Sequence, residues 1–408
     1  MATGMDVRHM PDVQPHRGQG LGVLVKPASA DCNLRCQYCF YHERGNDPYA
    51  ADGRRHVMSE HVLDRFLEEF LPLAGPQPNF GWQGGEPTVA GLEFFERVIE
   101  RQQRFKDRRQ SIANALQTNA LLVDEDWAQF LHEHRFLVGV SLDGPVELHD
   151  RYRYDYGDDG TFSRVMKKID LLRRHEVEFN ILCVVNRLTA AKAETIFKFF
   201  TENGFQWLQF IPAVERDEKG RLTPFSVTAR QYGDFLCRIF DLWWQDGKPT
   251  VSVRMFDEVL GVAMGQVPGS CQLNEVCGGL YVVVEYNGDV YPCDFFVEDR
   301  WRMGNIVETP LEEMLRGEAV HRFTQLKPNA SGKCQACRFR GVCHNGCPHY
   351  RSLGDGTFLD LDYLCEGYYK FYSYALPKLA RFRLGAPVHQ PMHPRGTEDT
   401  SGEPLPPS

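Results

Sequence analysis

Between residues 20 and 212 the chain alternates six short β-rich runs with five amphipathic helical runs, and this alternation narrows the fold more than any other feature. The β-rich runs lie at 21–26, 79–83, 112–117, 136–142, 178–185 and 206–211. The helical patterns lie at 59–71, 91–108, 124–134, 161–175 and 189–203, with Ser59 and Asp124 as N-caps and Gly204 as a C-terminal stop. Strands separated by helices pair in parallel through right-handed crossovers. Six units are too few to close an eight-stranded barrel, so the expectation is an α/β fold built on a partial (β/α)6 TIM-like barrel. Chemistry in such a sheet belongs at the carboxyl ends of the strands. There the chain places a three-cysteine loop, Gly84-Gly85-Glu86-Pro87, Thr118-Asn119, Ser141-Leu142-Asp143-Gly144, Asn186 and Pro212-Ala213-Val214, in strand order.

The rest of the chain divides by composition. Residues 1–19 are polar and are expected to be flexible; 20–215 form the barrel core; 216–270 read as a helical bridge that includes 232–244. From 271 to 375 the chain is cysteine-rich with short strands, and 281–286 and 289–292, joined by Asn287-Gly288, form a hairpin signal. The stretch 385–408 is rich in Pro, Gly and polar residues and is expected to be a disordered tail. The formal charge of −9 argues against DNA or RNA as the main partner. No apolar run approaches a membrane span, and the N-terminus lacks the apolar core of a signal peptide, so a cytoplasmic protein is expected. In a reducing compartment, thirteen cysteines are metal ligands or catalytic thiols more often than disulfides. Eleven of them cluster; Cys183 and Cys237 stand alone in apolar stretches and read as core residues.

The first cluster is Cys32, Cys36 and Cys39, spaced C-x3-C-x2-C in the loop after the first strand. Three thiolates fill three corners of a metal site and leave the fourth to a non-protein ligand, which points to a reactive iron–sulfur cube. Half of a zinc ribbon with a distant fourth ligand fits the spacing as well. The later cysteines are Cys271, Cys277, Cys293, Cys334, Cys337, Cys343, Cys347 and Cys365. Eight thiolates complement two fully ligated four-iron clusters, and they also complement two zincs; the count leaves both open.

CNLRCQYCFY after the first strand, GGEP after the second and the six βα units resemble the radical S-adenosylmethionine (SAM) enzymes. The resemblance implies a [4Fe–4S] cluster on Cys32, Cys36 and Cys39, its open iron chelated by SAM, with Gly84, Gly85 and Glu86 near the SAM amino group. It also implies that the C-terminal cysteines form a SPASM domain with short strands and helices, carrying two auxiliary [4Fe–4S] clusters. By the same resemblance one auxiliary cluster takes Cys271, Cys277, Cys293 and Cys347, and the other takes Cys334, Cys337, Cys343 and Cys365.

GWQGGEPTVAG, SLDGPVELHDRYR, QFIPAVERD, NGDVYPCDFFV and CHNGCPHYR narrow the match: over about residues 20–375 the chain closely resembles the anaerobic sulfatase-maturating enzymes. These oxidise a Cys or Ser in a sulfatase C/S-x-P-x-R motif to Cα-formylglycine, after a 5′-deoxyadenosyl radical abstracts a Cβ hydrogen. The remaining electron is expected to leave through an auxiliary cluster. Carried over, Tyr38, Gly85, Ser141, Arg153 and Val214 would contact SAM, and Asp294 would be the catalytic base. An Asp beside a metal ligand is otherwise a hydrogen-bond partner of that ligand. Tyr41 and Gln83 are candidate peptide contacts, with structural roles as the alternative. His344 and His349 flank cluster cysteines and read as supporting residues; His132 and His134 read as surface. Trp82 departs from the family pattern, where Phe is expected. The implied partners are a sulfatase segment and an electron donor such as flavodoxin or ferredoxin, with a monomeric enzyme expected. The rival function is another SPASM peptide modification: thioether formation, epimerisation or decarboxylation.

Overall fold

The computed structural model describes residues 20–41, 49, 55–217, 219–329, 331–352, 358 and 360–382, with 380–382 as backbone alone. The expected N-terminal segment and most of the expected tail, 385–408, lie outside the described residues.

All six β-rich runs form strands: β1 Gly22–Lys26, β2 Asn79–Trp82, β3 Ala113–Thr118, β4 Leu137–Ser141, β5 Phe179–Val185 and β6 Trp207–Pro212. Each pairs in parallel with the next. Four short strands complete the sheet: β7 Ser252–Val253, β8 Tyr281–Glu285, β9 Asp289–Tyr291 and β10 Gly304–Asn305. The order is β10-β9-β8-β1-β2-β3-β4-β5-β6-β7, so β1 and β6 do not meet and the barrel stays partial.

Two features of this sheet lie outside the six βα units. The bridge is mostly helical, as expected, and within it β7 adds in parallel to β6, between helices Ala229–Trp244 and Arg254–Ala263. The hairpin β8–β9 forms as expected and extends the same sheet. β8 runs parallel to β1, pairing Gly22 with Tyr281 and Lys26 with Glu285. An exposed β1 edge would leave a row of unpaired backbone donors and acceptors, and β8 satisfies it.

Period-2 alternation sorts the strand residues. In β3, Asn114, Leu116 and Thr118 are buried under the helices while Ala115 and Gln117 are half-exposed; β5 likewise buries Ile181, Cys183 and Val185 and leaves Asn180, Leu182 and Val184 half-exposed. The half-exposed set lines the concave face. The buried set joins the amphipathic helices, among them Glu60–Phe70, which is capped by Ser59 accepting from Val62 N at 3.3 Å. Asp124 caps Glu125–Glu133 in the same way, and Gly204 follows Ala193–Glu202 at φ 73°. The expected helix at 189–203 is two, Arg187–Ala190 and Ala193–Glu202. Asn186 caps the first in a reciprocal capping box with Thr189 and sets its start ahead of the apolar pattern. Trp82 is fully buried toward the helices, its Nε1 donating to Asn114 Oδ1 at 2.9 Å, and Asn114 is paired in turn with Gln102. The departure at this position is therefore satisfied away from the concave face. Cys183 is fully buried in the core and Cys237 half-buried against it; His132 and His134 are exposed. No helix among the described residues is long and apolar enough to cross a membrane.

Candidate active site

The loop after β1 carries Cys32, Cys36 and Cys39 to the carboxyl end of the barrel, and the three sulfurs lie within electrostatic reach of one another. Donors aim at them. Leu34 N and Asn119 Nδ2 reach Cys32 Sγ at 3.3 and 3.7 Å, and the Arg153 guanidinium acts electrostatically on Cys36. The glycines of the β2 loop are required by close packing against the first turn of this loop. Gly84 sits at φ 143°, and a Cβ on Gly85 would come within 2.2 Å of Asp31 O. Gly85 N and Glu86 N donate to Ser29 O and Asp31 O, both at 2.7 Å, locking the two loops together.

Glu86 does something the motif did not disclose. Its buried carboxylate accepts from Thr88 N (3.1 Å), Thr88 Oγ1 (2.7 Å), Thr118 Oγ1 (2.8 Å) and Asn119 N (2.7 Å). It ties the carboxyl ends of β2 and β3 together, and Oε2, with one bond against three on Oε1, keeps an open lone pair.

Tyr38 and Arg153 converge on Asp143, a residue the sequence reading passed over except as part of a strand-end loop. Asp143 is fully buried; it accepts from the Tyr38 hydroxyl, from Arg153 Nε at 2.9 Å and Nη2 at 3.2 Å, and from Val184 N at 2.9 Å. The Arg153 guanidinium also lies over the Tyr38 ring, 5.4 Å from its centroid. Arg153 is thus a buried cation between a carboxylate and a cluster thiol. The Asp-Gly ending β4 and the arginine beyond it were the only signal for this network. Ser141, half-exposed at the end of β4, accepts from Gln117 Nε2 at 3.2 Å on the concave face. Val214 is buried after β6.

Asp294 reaches the same rim from the other end of the chain. It follows Cys293 and opens a 3-10 turn, Asp294–Phe296. Its Oδ1 meets Lys26 Nζ at 2.6 Å; Tyr41 Oη donates at 2.8 Å to Oδ2, and Gln83 Nε2 at 3.3 Å to Oδ2. Lys26, 1% exposed, also lies 3.6 Å from Glu285 Oε1 and 4.5 Å from the Tyr41 ring centroid. Sequence reasoning missed Lys26 and Glu285, because a Lys ending a strand reads as solvated. Tyr41 and Gln83, expected at the peptide, are placed on the carboxylate.

The eight later thiols sort into two neighbourhoods. Cys277 interacts with Cys271 and Cys347, and Cys293 with Cys271 and Cys277. Cys343 interacts with Cys365, and Cys365 with Cys334 and Cys337. Cys365 opens helix Cys365–Phe382, where the helix dipole favours a thiolate. Among the described residues no three His, Cys, Asp or Glu side chains converge tightly enough to chelate a single ion, whereas a four-iron cube spreads its thiolates over separate metals. Burial pushes the Cys36, Cys277 and Cys343 thiols up to about 12, so without a metal they stay protonated at neutral pH. The donor set and the N–H groups aimed at sulfur fit iron–sulfur clusters. His349 stacks on Phe295 at 4.2 Å, and burial lowers the pKa of His344.

Residues 27–200 match the Radical SAM superfamily, and 276–338 match SPASM, an iron–sulfur cluster-binding domain. A cysteine-type anaerobic sulfatase-maturating enzyme of Clostridium perfringens is 40% identical over 363 residues, covering 88% of this chain and 97% of its own length. A serine-type enzyme of Bacteroides thetaiotaomicron is 38% identical over 376 residues, covering 88% and 90%. The solved structure described as native anSMEcpe with bound AdoMet and Cp18Cys peptide superposes with a TM-score of 0.82 at 39% identity, over 89% of this chain and 99% of that one. Streptococcus suis SuiB, at 16% identity and a TM-score of 0.61 over 85% of this chain and 77% of that one, shares the fold. With two thirds and more of such relatives covered at this identity, the chain belongs to the anaerobic sulfatase-maturating enzymes of the radical SAM superfamily.

Proposed function

We propose that this enzyme oxidises a Cys or Ser in a sulfatase C/S-x-P-x-R segment to Cα-formylglycine, with Asp294 as the base. The observation that carries the reading is the carboxylate of Asp294, brought from the SPASM region to the barrel rim and held there by Lys26, Tyr41 and Gln83. The similarity to both cysteine-type and serine-type relatives supports the same chemistry.

Cys32, Cys36 and Cys39 would hold the SAM-binding cluster, Cys271, Cys277, Cys293 and Cys347 one auxiliary cluster, and Cys334, Cys337, Cys343 and Cys365 the other. When bound, the first cluster supplies the reductive cleavage of SAM that furnishes the hydrogen-atom abstractor. The chain's own part is positioning and proton transfer. Gly84, Gly85, Glu86 through Oε2, Ser141 and the Val214 backbone border the SAM pocket. Tyr38 and Arg153, joined through Asp143, fix the floor beneath Cys36. Lys26 holds Asp294 by one oxygen, so that the other, beside Tyr41 and Gln83, takes the thiol or hydroxyl proton of the target residue. Burial of Asp294 keeps competing water from that proton path. In domain terms the radical SAM core spans 20–215, the bridge 216–270 and the SPASM unit 271–375. The enzyme acts as a cytoplasmic monomer served by a flavodoxin or ferredoxin.

Two outcomes test this. Anaerobically reconstituted protein is expected to bind about twelve irons per chain, four for each thiol set. With SAM, dithionite and a C-x-P-x-R peptide, mass spectrometry should show a loss of about 18 Da as Cys becomes formylglycine, or about 2 Da from Ser. A loss of about 44 Da, as CO2, or an unchanged mass with inverted stereochemistry would assign a different SPASM modification.

A further inference from the structure

Two positive charges are buried between the thiol sets of the C-terminal region. Lys327 is 0% exposed and Arg351 is 1% exposed. Lys327 Nζ donates to Cys271 O at 2.8 Å and Gln272 O at 2.9 Å. Arg351 spends its donors on backbone carbonyls: Asn345 O from Nε (2.9 Å) and Nη2 (2.6 Å), Lys327 O (3.1 Å), Leu326 O (2.8 Å) and Asn329 O (3.3 Å). Among the described residues neither cation has a carboxylate within ion-pair distance. Asp362 is the acid that both of them feel, and its oxygens bond to Cys347 N at 2.8 Å and Leu364 N at 2.7 Å. Two cations and one anion leave this interior with an excess positive charge before any cluster is considered. Carbonyl dipoles solvate a buried cation without neutralising it, so the fold carries an electrostatic penalty that something else must offset.

The surroundings say what offsets it. Lys327 Nζ bonds the backbone of Cys271 in one set, and Lys327 O accepts from Asn345 Nδ2 at 3.1 Å, two residues from Cys343 of the other set, and its charge acts on thiols of both. Arg351 feels Cys277 and Cys347 of the first set and Cys334 of the second. A four-iron cluster with four thiolates carries net negative charge, and each electron it accepts adds one more. Positive charge shared by both sets therefore lowers the work of assembling them and of reducing either one.

We infer that Lys327 and Arg351 form a charge bridge shared by the two auxiliary clusters, which assembles them as a pair and raises the reduction potential of both. They are positioning residues, and neither touches substrate. The inference rests on the proposed eight-thiolate, two-cluster reading, and the wild-type iron content tests that reading separately: four irons instead of about twelve would remove it.

The test uses the full chain reconstituted anaerobically as wild type, Lys327→Met, Lys327→Arg and Arg351→Met. Iron is counted and the clusters are titrated reductively under EPR. In either Met variant, the reduced fraction of both auxiliary clusters at a fixed potential should fall about tenfold or more, with the SAM-binding cluster unmoved and Lys327→Arg near wild type. Loss of about eight irons from Lys327→Met with retention in Lys327→Arg supports the same conclusion, since charge is then what assembly needs. Full iron with unmoved potentials overturns the bridge. So does a shift confined to one auxiliary cluster, or equal iron loss from Lys327→Met and Lys327→Arg.

Discussion

Asp294→Asn is expected to cleave SAM while forming almost no formylglycine. The substitution keeps shape and the contact with Tyr41, but an amide cannot accept the substrate proton. General-base loss lowers such steps by about 100-fold or more. Lys26, left with Glu285 at 3.6 Å, should remain in place, because that carboxylate faces it across the β1–β8 register. The measurement is the ratio of 5′-deoxyadenosine to formylglycine in one reaction, by liquid chromatography and mass spectrometry. Formylglycine at the wild-type rate would remove Asp294 from the base role and leave it as a neighbour of Cys293.

Asp143→Ala is expected to have the largest effect on the folded barrel. Asp143 is fully buried, and it neutralises Arg153 while accepting from Tyr38 and Val184 N. Without it, Arg153 would be a buried cation beside Cys36 with no carboxylate partner. Breaking a buried pair on one side costs about 3–5 kcal/mol. Thermal unfolding should shift down accordingly. The iron count should fall by about four, because the floor under the first cluster loses its anchor while the C-terminal sets keep theirs. A variant with wild-type thermal stability and full iron would show that the network is dispensable. Asp143→Asn, which keeps an acceptor for Arg153, should fall between the two.

The barrel was readable because strands and helices alternate with the right periods and because local caps such as Ser59 and Asp124 bound as their chemistry dictates. The cysteines were readable in number and spacing, while their pairing came from the family resemblance alone. The site around them was less so. Glu86 stands in a recognisable motif, and its bonds to Thr88 are local, yet those to Thr118 and Asn119 exist only once β2 and β3 lie side by side. β7 was lost inside an expected helical bridge, because two residues carry no periodicity.

The chain on its own determined a half-closed parallel barrel, a three-thiolate loop at its rim and eight thiolates beyond it, since spacing and hydrophobic period are local properties. Only the tertiary structure decided what stands against that loop. The pairing of β8 with β1 places Lys26 beside Glu285 and swings Asp294 to Tyr41, a contact 253 residues apart in sequence. Register across a sheet depends on which edges need partners and which faces are buried, and no local pattern in either segment records it.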